Sequence, residues 1–171
     1  MDGPGGRVRR HLIARKHRGD PTGPFNLEIT ADSFRQLAEY GAQVGVKVLV
    51  ENHGGHSLVP ENLVAIIEAV DSPYLRSLPD FGNLPPGADE EARYALLRKL
   101  FPHAHLVSVK GMVFDAQLNH TSYDIAACVR IGEELGFKGV YSAELWAPGI
   151  LPKDPIAEAR RTMELIAGGL A

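Results

Sequence analysis

The chain has 171 residues, 44% of them hydrophobic and 23% charged, with a net charge of −3. That composition is globular, has no apolar run near the ~20 residues of a membrane span, and gives no support to nucleic-acid binding. The single cysteine, Cys128, excludes an internal disulfide framework, and the absence of an apolar secretory leader makes the cytoplasm the expected location.

Residues 1–24 form a basic Gly/Pro/Arg-rich leader, with Arg7, Arg9, Arg10, Arg15, Lys16 and Arg18 against only Asp2 and Asp20. Without apolar periodicity, this stretch is expected to be disordered, and a domain is expected over residues 25–171. There the pattern alternates between helix and strand. Thr30 is placed to cap a first helix through Phe34 and Ala38, ending near Gly45. Val46 to Glu51 reads as a buried strand. Pro60 to Val70 reads as a helix burying Leu63, Ile66, Ile67 and Val70. A weak strand follows from Tyr74 to Asp80, interrupted by Pro79. The next helix has an acidic first turn, Asp89-Glu90-Glu91, and a basic last turn, Arg98-Lys99, which suits the helix dipole. His105 to Lys110 is a third strand, Tyr123 to Leu135 a helix, Val140 to Glu144 a fourth strand. Pro155 to Ile166 is the last helix, with Ile156, Met163 and Ile166 on one side.

Four strand-helix units therefore repeat, with Glu51, Asp80, Ser108/Lys110 and Glu144 at the strand ends, spaced by 29, 28 and 36 residues. Polar residues at the C-terminal ends of parallel strands favour an α/β barrel over a doubly wound sheet. Because side chains alternate faces, Leu49, Glu51 and His53 share one direction, and Ser142, Glu144 and Trp146 share another. Glu51, Asp80 and Glu144 would then converge in the barrel mouth, where three like charges call for a divalent cation. Oxygen-rich ligation suits Mn²⁺ or Mg²⁺, with Zn²⁺ or Co²⁺ as further options. Lys110 points into the same mouth. Parity turns His105 away from it, and His56 and His120 read as loop residues.

The segments Val48-Leu49-Val50-Glu51-Asn52-His53-Gly54-Gly55, Pro60-Glu61-Asn62-Leu63 and Leu78-Pro79-Asp80-Phe81-Gly82-Asn83 resemble the fifth and sixth units of the sugar phosphate isomerase/epimerase family, the xylose isomerase-like TIM barrels. Val107-Ser108-Val109-Lys110 and Gly136 to Glu144 resemble the seventh and eighth. The resemblance implies the C-terminal four βα units of a (β/α)8 barrel, and so a partial barrel. It implies a metal held by Glu51, Asp80 and Glu144, while the histidine that the family places in the seventh strand is Ser108 here. It further implies Glu51 and Glu144 as base and acid, with Lys110 beside the developing oxyanion. Substrate contacts are expected from His53, Asn83 and Trp146. The expected activity is isomerisation or epimerisation of a sugar-derived keto or hydroxy compound by proton transfer next to a carbonyl. No phosphate cradle accompanies it.

Eight strands close such a barrel and only four are legible. The competing expectation is thus a truncated or non-catalytic half-barrel, completed by a homo-oligomeric partner or a second half-barrel. An endonuclease IV-like phosphodiesterase would need a histidine cluster and a basic groove, and neither is visible.

Overall fold

The computed structural model describes residues 24–145 and 154–171. Helix α1 (Leu27–Val44) starts at Asn26, whose side chain accepts a hydrogen bond from the Ile29 amide, and ends on Gly45 at φ 68°. The cap is therefore Asn26 and not Thr30, which lies one turn inside with its hydroxyl on the Asn26 carbonyl. Asparagine accepts the early amide well enough to begin the helix sooner. The Val46 amide bonds back to the Gly41 carbonyl, which holds that residue in the turn, so β1 (Val48–Glu51) starts two residues later than the β-branched run suggests.

Helix α2 (Pro60–Val70) buries the expected Leu63, Ile66, Ile67 and Val70, and stops at Asp71 in the left-handed region. Strand β2 (Leu75–Leu78) leads to α3 (Glu90–Leu100), whose N-cap Asp89 accepts from the Ala92 amide. Strand β3 (Leu106–Gly111), helix α4 (Ile125–Glu134, capped by Asp124), strand β4 (Val140–Leu145) and helix α5 (Pro155–Leu170, capped by Asp154) complete the order.

In α5 the buried stripe is Glu158, Thr162, Ile166 and Gly169. Of the side expected from sequence, Ile156 is 75% and Met163 51% exposed. Ile166, on that same side, is buried at 4%, and a Cβ on Gly169 would stand 2.6 Å from Val129 Cβ, so α5 meets α4 closely along the Ile166–Gly169 part of its stripe.

β1 pairs with β2 in parallel, Glu51 opposite Leu78, and β3 with β4, Lys110 opposite Glu144. Between the pairs, β2 meets β3 through parallel bridges at Ser77–Ala104 and Asp80–Ser108. Pro79 has no N–H to give, so the ladder there reduces to the Ser108 amide on the Pro79 carbonyl and the Phe81 amide on the Ser108 carbonyl. The four strands thus follow one another in chain order, all parallel, as an arc of barrel wall.

Val50, Val107 and Val109 join Phe34, Leu97 and Val129 in the core between the arc and its helices. Leu49 and Leu78 are buried apart from that cluster. By alternation they share the face of Glu51 and Asp80, the inner face of the arc. No described helix is long and apolar enough to cross a membrane.

Candidate metal centre

Every strand ends in a residue that turns toward one point. Glu51 is the last residue of β1, Asp80 lies two past β2, Lys110 and Ser108 are in β3, and Glu144 is in β4. Carboxylate oxygens of Glu51, Asp80 and Glu144 come within 4.8 Å of one another. Glu51 and Asp80 are buried, at 8% and 1% exposure, while the Glu144 side chain is 44% exposed. The predicted convergence therefore holds for all three.

Each carboxylate has one oxygen fixed by the protein. Asp80 Oδ1 accepts from the Gly82 amide at 2.8 Å and the Asn83 amide at 2.9 Å. Glu51 Oε1 accepts from Asn83 Nδ2 at 3.1 Å. Glu144 Oε2 accepts from the Ser108 hydroxyl at 2.7 Å. Asp80 Oδ2, fully buried, accepts no hydrogen bond. A buried carboxylate oxygen left this way is costly unless a cation faces it. The cation it has is Lys110, whose Nζ lies 3.3 Å from Asp80 Oδ2 and 3.4 Å from Glu144 Oε1, and donates to Asn83 Oδ1 at 3.1 Å.

One ammonium does not neutralise three carboxylates. Burial, then the neighbouring Asp80, raises the Glu51 pKa to about 7 against the downward pull of Lys110. Burial likewise raises that of Asp80, with Lys110 opposing. The group is short of positive charge and presents hard oxygen donors, and the buried Asp80 Oδ2 is met only by the ion pair to Lys110. That donor set fits a divalent cation of the Mg²⁺ or Mn²⁺ type.

The remaining expectations fall out unevenly. Asn83 is at the centre, bridging Glu51 and Lys110. His53 is exposed, its backbone amide held by Ser57 Oγ, and contributes no atom to the carboxylate cluster. Trp146 lies outside the described residues, as do residues 1–23 of the leader. His105 sits at the other end of β3, with its amide on the Ser77 carbonyl and its imidazole pKa lowered by burial and then by Lys47. His120 is structural: its ring nitrogens meet the Tyr123 carbonyl and the Met112 amide.

Two supporting residues escape a reading by strand ends alone. Asn52 is fully buried, donating to the Asp80 carbonyl and the Asn83 carbonyl, both at 2.9 Å, and accepting from the Asp80 amide at 2.7 Å. Tyr123 donates its hydroxyl to the Lys110 carbonyl at 2.6 Å, while the Arg93 guanidinium lies 4.2 Å from the centre of its ring. Asn52 lies one residue past β1, where a buried amide needs partners, and it finds them in the turn that holds Asp80.

The chain belongs to the xylose isomerase-like TIM barrel family, whose model matches residues 8–167. Its fold is similar to that of a xylose isomerase-like TIM barrel protein from Mycobacterium smegmatis in complex with magnesium, at TM-score 0.63 and 20% identity over 91% of this chain. It is similar to a 3-keto-D-glucoside 4-epimerase from E. coli, at TM-score 0.62 and 19% identity over 88% of this chain. An L-ribulose 3-epimerase gives TM-score 0.69 and 19% identity over 86%. The chain spans 55%, 59% and 56% of those three structures respectively. No curated protein matches the sequence significantly.

Proposed function

We propose that this chain carries the metal-binding and proton-transfer residues of an isomerase or epimerase acting on a sugar or sugar-derived keto/hydroxy compound. The observation that carries the reading is the convergence of Glu51, Asp80 and Glu144 within 4.8 Å. Glu51, Asp80 and Glu144 would hold a divalent cation, Mg²⁺ or Mn²⁺ by donor chemistry. When bound, such a cation supplies charge stabilisation to oxygens at a reacting carbonyl. Glu51, with its pKa near 7, sits where a carboxylate both takes and returns a proton at neutral pH. Glu144, more open and on a different strand, would serve as the partner acid or base. In the metal-free chain the Lys110 ammonium and the Asn83 amide hold the two glutamates in place, and both groups offer donors to an oxyanion. Epimerases among the similar structures support a keto-sugar as substrate.

The test is solvent exchange. With Mn²⁺ and a ketohexose in D₂O, deuterium should appear at the carbon next to the carbonyl, and Glu51→Gln should slow its appearance by two or more powers of ten. A folded, metal-loaded chain that incorporates none from a panel of ketoses and keto-glucosides would sink the reading.

A second reading is a half-barrel module that works only with a second half. It is favoured by the outer edges of β1 and β4, which have no strand partner among the described residues, and by the share of the similar structures that the chain spans. Sedimentation equilibrium separates the two, since exchange activity in a monomer would exclude the module.

A further inference from the structure

After the protein's own hydrogen bonds are assigned, two of the oxygens left for a cation are Asp80 Oδ2 and Glu144 Oε1. Both belong to Lys110, at 3.3 and 3.4 Å from its Nζ. Lys110 is 1% exposed, and its stem runs tightly past Gly82, where a Cβ would stand 2.8 Å from Lys110 Cβ and 2.9 Å from its Cδ. The backbone gives way to the side chain there, so the lysine has a built position inside the carboxylate group. Asn83 completes it, accepting from Nζ at 3.1 Å while its amide nitrogen holds Glu51.

Two cations in contact with the same pair of oxygens would face each other as like charges at close range. The lysine is long and unbranched, with rotatable bonds beyond the Gly82 contact. Glu144, the more exposed of its two carboxylate partners, borders the open side.

We propose that Lys110 is an internal cation that competes with the divalent metal for Asp80 and Glu144, and that metal loading drives its ammonium out of the carboxylate group toward the mouth. The inference rests on the carboxylates being a cation site, as proposed above. It makes Lys110 a residue that sets metal affinity: the metal-free chain keeps its buried Asp80 compensated, at the expense of a weaker metal site. The displaced ammonium then becomes available to an anionic oxygen of the substrate.

The experiment is calorimetric titration with Mn²⁺ of the wild type, Lys110→Met and Asp80→Asn, with thermal melts to establish folding. Lys110→Met should bind Mn²⁺ about tenfold or more tightly than the wild type, the scale on which one neighbouring charge moves an ionic equilibrium. Asp80→Asn should lose binding. Equal or weaker binding by folded Lys110→Met would overturn the competition while leaving the metal reading intact. No binding by either folded wild type or Lys110→Met would remove the metal reading, and this inference with it. The wild type alone gives a second measurement, acetylation of lysines followed by peptide mass spectrometry. Lys110 should be spared without Mn²⁺ and modified several-fold more with it. Unchanged labelling at a Mn²⁺ concentration that calorimetry shows to saturate would overturn the proposal, even if Lys110→Met fails to fold.

Discussion

The Asn52 side chain clamps Asp80 from both sides of its backbone, accepting from the Asp80 amide at 2.7 Å and donating to the Asp80 carbonyl at 2.9 Å. These two residues lie just past the ends of neighbouring strands, and the second contact of Asn52 Nδ2, to the Asn83 carbonyl, fixes the turn that presents Asp80 Oδ1 to two amides. An amide side chain thereby carries the β1–β2 pairing past Leu78, on the side of Asp80 that faces β1.

Asn52→Ala takes their partner from the buried Asp80 amide and carbonyl and from the part-buried Asn83 carbonyl. A loss of about 2–4 kcal/mol in unfolding free energy is expected. Asn52→Asp keeps the acceptor but adds a fourth negative charge and removes both donor bonds, so it should be no better. Urea unfolding of both variants checks this; a loss under about 0.5 kcal/mol in Asn52→Ala would mean the clamp is replaceable by water.

Gly82→Ala drives a methyl into the Lys110 stem, with Lys110 Cβ, Cγ and Cδ all within 3.0 Å of the added carbon. Overpacking of that kind costs about 1–3 kcal/mol. Lys110→Ala removes two of the three crowding atoms, so the double variant should recover part of the Gly82→Ala loss. A thermal-melt cycle reads the coupling, and strictly additive losses would show that the glycine makes no room for the lysine.

Much of this site could be read from strand parity. The positions of Glu51, Asp80 and Glu144 follow from short parallel strands ending in carboxylates, and the structure brings those three together. His105 lies at the other end of the strands from the carboxylates, its amide on the Ser77 carbonyl. Parity gives less guidance at His53, which lies beyond the end of β1, where the chain bends onto Ser57. Helix starts were misplaced where side-chain chemistry beats hydrophobic period, as Asn26 does over Thr30 and Asp124 over Tyr123. Of the side Ile156, Met163 and Ile166 in α5 only Ile166 is buried, because the helix packs along Glu158, Thr162, Ile166 and Gly169, with Gly169 close against Val129. Periodicity weights apolar size and does not show a stripe that contains a glutamate, a threonine and a glycine.

Glu51 gives a pH dependence whose sign can be fixed. Its carboxyl ionises near 4.5 when unfolded and near 7 when folded, so the folded chain binds the extra proton between those values. Its contribution to stability is full below pH 4.5 and lost as pH rises through 7. His120 works oppositely, since burial lowers its pKa and favours the fold as pH rises. The readout is therefore the difference between wild type and Glu51→Gln in EDTA. From pH 5 to 8 the wild type should lose about 1–3 kcal/mol relative to the variant. Saturating Mn²⁺ should cancel or reverse that loss, because a metal binds the ionised form. A wild type that gains on the variant between pH 5 and 8 in EDTA would contradict the raised pKa.

Ser108→His restores the imidazole that the family resemblance places in the seventh strand. Ser108 is 6% exposed, bridges to Asp80 and lies opposite Ser142 of β4, and its hydroxyl reaches Glu144 Oε2 at 2.7 Å. An imidazole grafted there would stand beside Glu144, and its nitrogen would shift the donor set toward Zn²⁺ and Co²⁺. Without metal the larger ring must be accommodated beside Lys110, at about 1–3 kcal/mol. With Zn²⁺ at a hundred times its dissociation constant, about 2.7 kcal/mol of stability should return. The melting temperature of Ser108→His should accordingly lie below the wild type in EDTA and rise more steeply than the wild type with added Zn²⁺. If Zn²⁺ raises both by the same amount, the imidazole does not reach the cation, and position 108 serves Glu144 alone.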